Sequence, residues 1–363
     1  ECLRTNTFCP LRADGSTVQA EMMQRRGEIR YGEAGGYVAI ALPYAEDFVA
    51  YAADTEATLR SVMGVPDNYR VLFLQGGATG QFAGIPLNLT QPGDTVDFIN
   101  TGAWSKKAIA EARKYDVTAN VIADEAATNY TRVPDPASFS VTPGARYLHY
   151  TLNETIGGVE FGYVPDAGDV PLVTDASSTI LSRPMDVSKF GLIYAGAQKN
   201  MGPAGLAVVI VRDDLVGHAR GITPSCWDYR LMADSDSMLN TPPTFGIYLL
   251  GKVLHWVEGL GGLEAMGERN RAKAELLYGA IDASDFYTNP VEPSSRSWMN
   301  VVFTLADPSL DKEFAAKAAE AGMPNLKGHR SVGGMRASIY NAMPIEGVEA
   351  LVDFMGEFER AHA

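Results

Sequence analysis

From about residue 70 onward the chain alternates short apolar runs with amphipathic stretches, a pattern that few folds other than helices laid over a sheet can use. Arg70–Leu74 reads as a strand, and the turn Gly76-Gly77-Ala78-Thr79-Gly80 opens a helix running to about Leu89. Thr95–Asn100 reads as the next strand, followed by a helix over Ser105–Lys114 with Lys and Glu on its outer face. Tyr147–Tyr150, Leu172–Thr174, Leu192–Ala195 and Leu206–Val211 continue the strands. Strands separated in this way are joined by crossovers, so the expected fold class is α/β with a mainly parallel sheet and flanking helices.

Pro242-Pro243 introduces a long helix over Phe245–Glu258, since proline suits a first helical turn. Beyond the glycine-rich joint Gly259-Leu260-Gly261-Gly262 the pattern changes. A helix over Leu263–Ile281 is followed by a strand over Val301–Leu305, a helix over Leu310–Ala321, a strand over Met335–Tyr340 and a last helix from Glu346. The expected organisation is an N-terminal segment over 1–46, a large domain over 47–259 and a smaller α+β C-terminal domain over 260–363.

Composition narrows the function. With 30 Lys and Arg against 44 Asp and Glu the net charge is −14, which argues against nucleic acid or an anionic membrane as the main partner. An anionic substrate would need a local cluster of cations set against that field. Cys2, Cys9 and Cys226 cannot form a disulfide framework, and neither their spacing nor a neighbouring histidine suggests a metal site. Reduced thiols, together with the lack of a long apolar stretch, lead us to expect a cytoplasmic protein.

Lys199 ends the apolar run Leu192-Ile193-Tyr194-Ala195 within Ala-Gly-Ala-Gln-Lys-Asn, among residues too small to crowd it. Such a lysine is either a solvated surface cation or a desolvated amine able to attack a carbonyl and form a Schiff base. Asp175, 24 positions earlier, ends another apolar run, Val170-Pro171-Leu172-Val173-Thr174. A Schiff-base lysine and a buried carboxylate form the pair that pyridoxal phosphate needs, one for its aldehyde and one for its ring nitrogen.

Other motifs carry two readings each. The loop at 76–80 is either a plain tight turn or an anion cradle built from amides at a helix start; it is neither a Walker loop nor a GxGxxG fingerprint. Trp104 could stack on a flat ring or belong to the core. Asn153-Glu154-Thr155 offers a hydroxyl and an amide, or a cap, and Ser177-Ser178 could equally cap a short helix. Asn240-Thr241 could be a helix start. His329, Arg330 and Arg336 lie within eight residues among glycines and read as an anion pocket, arginine being suited to bidentate contacts with carboxylate and phosphate.

These motifs resemble the phosphoserine aminotransferases, pyridoxal-phosphate enzymes of fold type I. The resemblance runs from about Asp47 to the carboxyl end. It rests on Asp175-Ala-Ser-Ser-Thr-Ile-Leu-Ser-Arg-Pro184, Tyr194 to Gly205, Leu239-Asn-Thr-Pro-Pro-Thr-Phe245 and Gly328 to Ala342. It implies that Lys199 carries the cofactor covalently and Asp175 faces its ring nitrogen, with Trp104 stacked on the ring and Thr155 near the ring hydroxyl. Ala78, Thr79 and Gln198 would hold the cofactor phosphate, joined by Asn240 and Thr241 from a second subunit of a homodimer. His329, Arg330 and Arg336 would receive substrate carboxylate and phosphate. The implied reaction moves an amino group between glutamate and 3-phosphohydroxypyruvate, giving phosphoserine and 2-oxoglutarate. The first 46 residues depart from the family pattern: its His-Arg pair falls on Pro43 and Tyr44, neither of which binds an anion as that pair would. The expectation is a chain that binds pyridoxal phosphate normally and uses phosphoserine poorly, improved by Pro43→His with Tyr44→Arg.

Overall fold

The computed structural model describes residues 46–362 apart from residue 331, together with three short strands, Glu21–Met23, Glu28–Arg30 and Tyr37–Val38, paired antiparallel. Its centre is a seven-stranded sheet: β1 (Tyr69–Gln75), β2 (Thr95–Asn100), β3 (Thr118–Asp124), β4 (Leu148–Thr151), β5 (Leu172–Asp175), β6 (Leu192–Gly196) and β7 (Leu206–Arg212). Their spatial order is β1-β7-β6-β5-β4-β2-β3. Only β7 runs against its neighbours, pairing antiparallel with both β6 and β1. The mainly parallel sheet is therefore present.

Both faces of this sheet are covered, and the strand sequences show why. Val71 and Phe73 enter one core while Leu72 and Leu74 enter the other; Val208 and Ile210 alternate with Val209 and Val211 in the same way. Strands buried on both sides read as unbroken apolar runs, yet each side chain commits to one face. The first face packs against α1 (Glu46–Met63) and α4 (Thr244–Gly259) through Leu59, Leu250 and Leu254. The second packs against α2 (Gly77–Leu89) and α3 (Ala103–Ala112) through Phe82, Ile85 and Ile109.

Some elements depart from the sequence reading by more than a residue. Strand β3 had no counterpart there, because it is an edge strand whose residues are mostly half-buried and show no clear alternation. Helix α3 starts at Ala103 instead of Ser105 and tightens into a 3-10 turn over Arg113–Tyr115. The strand expected over Met335–Tyr340 stops at Ser338.

At the joint, Gly261 and Gly262 adopt φ of 100° and 76°, a left-handed backbone that side-chain-bearing residues disfavour. Helix α5 (Gly262–Asp282) follows, then an antiparallel sheet of Tyr287–Thr288, Asn300–Leu305 and Met335–Ser338 with α6 (Asp311–Glu320) and α7 (Ile345–His362). Phe303, Phe314 and Phe358 centre a core of its own here. Leu263 and Met266, at the start of α5, still pack into the core of the larger sheet.

Candidate active site

The carboxyl ends of parallel strands converge on one cleft, the usual ligand position in an open α/β sheet. Here β1 ends at Gln75 and turns through Gly76 and Gly77, with φ of 95° and 60°, into α2. Gly76 caps the helix without a side chain, so the first amides of α2 have no intrahelical partner and face the cleft with the positive end of the helix dipole. That geometry leaves the amides an anion cradle at 76–80 would use.

Asp175 is the last residue of β5, only 4% exposed, and accepts from the Ser177 amide at 2.9 Å. Burial pushes its carboxyl above the usual range, opposed by hydrogen bonds from Ser177 and Tyr194 and by the charge of Lys199. Lys199 follows β6 and donates from Nζ to Thr155 Oγ1 at 2.6 Å. Burial lowers its pKa, Asp175 works against that, and Arg336 adds to it. Lys199 is half-buried in the cleft, which favours the desolvated reading. Its Nζ lies 5.7 Å from the centre of the Trp104 ring.

The remaining polar groups tie the cleft together. Thr155 Oγ1 donates to Ser178 Oγ at 3.0 Å, and Ser178 Oγ donates to the Asn153 carbonyl at 2.8 Å. Ser177 Oγ accepts from the Gly196 amide at 3.0 Å. The resulting cavity of about 270 Å³ is lined by Ala78, Thr79, Trp104, Thr155, Asp175, Gln198 and Lys199 among others. Every cofactor-contact residue expected within this chain's own cleft is thus brought together. Asn240 and Thr241 do not cap α4, whose cap position is Pro243; they are exposed outside the cavity, with Thr241 O accepting from Gln75 Nε2 at 2.9 Å. Of the anion cluster, Arg336 reaches the cleft, donating from Nη1 to the Thr155 carbonyl at 3.4 Å. His329 and Arg330 are exposed on the loop before Met335–Ser338 and do not line the cavity. Pro43 and Tyr44 lie outside the described residues.

One supporting residue has no local signature. Glu154 is buried, and its carboxylate accepts from the Trp104 amide at 2.9 Å and the Ser105 amide at 2.8 Å, with Ser105 Oγ at 2.8 Å. It caps α3 from across the chain, which is why that helix begins before Ser105 and why Trp104 is fixed at the cavity wall. Only the pairing of distant segments reveals it; the motif Asn153-Glu154-Thr155 was the one available hint.

The residues fit pyridoxal phosphate. An uncapped helix start suits its phosphate, a buried carboxylate without a full counter-charge suits a cationic ring nitrogen, and a desolvated amine between them suits its aldehyde.

Comparison with known proteins gives the same direction. Residues 34–351 match the aminotransferase class-V family. The chain is 55% identical over 345 residues to the phosphoserine aminotransferase of Pseudomonas aeruginosa (strain LESB58), covering 95% of this chain and 93% of the relative. It is 58% identical over 317 residues to that of Azotobacter vinelandii, covering 87% and 88%. The first alignment is too long to begin at residue 47, so it extends into the N-terminal segment. Among solved structures, the phosphoserine aminotransferase of Bacillus circulans subsp. alkalophilus superposes with a TM-score of 0.88 at 46% identity, covering 92% of each chain. A pyridoxal-phosphate-bound phosphoserine aminotransferase from Trichomonas vaginalis gives 0.84 at 38% identity, covering 90% of this chain and 93% of the other. With identity of this extent over nearly its whole length and the same fold, the chain belongs to the phosphoserine aminotransferases of aminotransferase class V.

Proposed function

We propose that this chain is a pyridoxal-phosphate enzyme that transfers the amino group of glutamate to 3-phosphohydroxypyruvate, yielding O-phosphoserine and 2-oxoglutarate. The observation that carries it is the pairing, inside one cavity, of a desolvated Lys199 with a buried Asp175 across from the start of α2. When bound, pyridoxal phosphate supplies an electron sink for the pair left by the departing α-proton of the substrate.

The chain's residues divide the remaining work. The amides of Ala78 and Thr79, with the Thr79 hydroxyl and Gln198, would hold the phosphate, and Trp104 would cover the ring. Asp175 keeps the ring nitrogen cationic, because a buried carboxylate is most stable beside a cation. Lys199 Nζ, its pKa lowered by burial, would take the proton from the substrate α-carbon and pass it within the same half-reaction to the carbon that was the cofactor's aldehyde, the reverse transfer serving the second substrate. Thr155 Oγ1, 2.6 Å from Nζ, holds the amine toward the ring. Arg336 offers its guanidinium to a substrate carboxylate or phosphate beside Lys199. His329 and Arg330, exposed on the loop before Met335–Ser338, would receive a substrate anion.

The site is shared between two copies of the chain. Asn240 and Thr241 are exposed, cap nothing, and are flanked by Leu239 and Phe245 at 40% and 49% exposed, an apolar surface that a partner would cover. They meet the cofactor phosphate from the second subunit in this reading. The setting is cytoplasmic. No described helix is long and apolar enough to cross a membrane.

Borohydride reduction of the cofactor-loaded protein followed by peptide mass mapping tests the assignment. A reduced adduct on the peptide holding Lys199 is expected, absent in Lys199→Ala, while an adduct on another lysine refutes it.

A further inference from the structure

Behind Asp175 the sheet carries polar side chains to which the functional reading gives no task. Asp175, Tyr194 and His149 stand on adjacent strands β5, β6 and β4, with Asp175 opposite Tyr194 and Val173 opposite His149 in register. All three therefore share the face that meets α2 and α3, among Phe82, Phe98 and Val173. None is more than 4% exposed. His149 Nε2 lies 2.8 Å from Tyr194 Oη, the Phe98 ring is centred 5.2 Å from the imidazole, and Tyr194, opposite Asp175 in register, helps to hold that carboxyl down through its hydroxyl.

The direction of these bonds follows from counting protons. Tyr194 has one, and a carboxylate can only accept, so the stronger bond is Tyr194 O–H to Asp175. The Tyr194 oxygen is then free to accept, and His149 must donate from Nε2. That tautomer leaves Nδ1 bare, and Nδ1 is buried without a hydrogen-bond partner. The opposite tautomer would turn Tyr194's proton toward the imidazole and away from Asp175.

We propose that His149 and Tyr194 are positioning residues for Asp175: a relay from His149 Nε2–H to Tyr194 Oη, and from Tyr194 O–H to the carboxylate, keeps Asp175 ionised so that it can hold a cationic ring nitrogen. This rests on the reading of Asp175 given above. Burial holds the imidazole down to about 3, so His149 stays neutral and the relay supplies hydrogen bonds without net charge. The other titratable groups facing this strip are Lys199, which favours the Asp175 charge, Glu154, which opposes it, and Tyr147 and Tyr229, which are neutral and face Tyr194.

The test is binding of pyridoxamine 5′-phosphate, which makes no covalent bond to Lys199, followed by tryptophan fluorescence from neutral to acid pH. Affinity of the unaltered protein falls on the acid side as Asp175 takes up a proton. Losing one charge-assisted bond raises the carboxyl, so in Tyr194→Phe that fall moves toward neutrality by about one pH unit. His149→Phe moves it in the same direction, and His149→Gln, whose amide can donate near the Nε2 position, restores it. Thermal unfolding run alongside reads any purely structural effect, which lowers stability without moving the acid limb. An unmoved limb in Tyr194→Phe overturns the relay, as does a His149→Gln protein that behaves like His149→Phe. Asp175→Asn separates the two claims: if it keeps the original limb, the reading of Asp175 falls and the relay with it, whereas a flattened limb there beside an unmoved one in Tyr194→Phe removes the relay alone.

Discussion

At the scale of single residues, Asp175 and Lys199 sit where burial disfavours their charged forms. A carboxyl raised by burial binds more protons in the folded than in the unfolded chain, so its contribution to stability declines as pH rises from the ordinary aspartate range through the raised value. Cofactor-free protein should therefore lose a stability increment over that rise which Asp175→Asn does not lose. Thermal unfolding at a series of pH values checks this, and parallel profiles for the two proteins contradict it. The same substitution should weaken cofactor holding, so stability and function part company at this position. Asp175→Ala should still form the lysine adduct yet turn over more slowly by orders of magnitude, since about 1.4 kcal/mol of lost transition-state stabilisation is already tenfold. Near-normal turnover by steady-state kinetics would exclude the role. Both residues were legible in the sequence, because each ends an apolar run that must be a buried strand. Glu154, Tyr194 and His149 were not, since what they touch is set by strand register and by contacts across about 50 positions, such as Glu154 to Trp104.

At the scale of elements, the start of α3 shows how one glycine serves a distant acid. A Cβ built on Gly102 would stand 2.7 Å from Glu154 Cδ, so any side chain there displaces the carboxylate capping the helix. Gly102→Ala should cost about 1–3 kcal/mol of stability through this crowding and loosen Trp104 at the cavity wall. Thermal unfolding together with a cofactor titration reads both effects; unchanged values would mean that the helix start absorbs the methyl. Sequence pattern located most elements because buried strands and amphipathic helices differ in period, and it failed where local pattern is silent. Strand β3 lies at the sheet edge without alternation, and the first turn of α3 is stabilised by Glu154 instead of by a neighbouring cap. The helix-start reading of Asn240-Thr241 fails because the cap position is Pro243, which leaves those two side chains for the other reading.

At the scale of the whole molecule, an acidic chain meets anionic ligands through a few local cations and helix ends. Its net charge of −14 repels such ligands, so Arg336 and the start of α2 must supply attraction at short range. If Asn240 and Thr241 complete the phosphate site of a second copy, dilution below the dimer dissociation constant should weaken cofactor retention and activity together. Analytical ultracentrifugation beside activity follows both, and a fully active monomer removes the shared site. Amino transfer through Lys199, with phosphoserine as the amino donor in one direction, is open to test by a single half-reaction. Cofactor-loaded protein mixed with excess O-phosphoserine and no keto acid should release close to one equivalent of 3-phosphohydroxypyruvate per chain and then stop, while Lys199→Ala releases none on that timescale. Release from Lys199→Ala at the unaltered rate would rule out transfer through Lys199, and no release from the unaltered protein when glutamate gives 2-oxoglutarate would rule out phosphoserine as the donor.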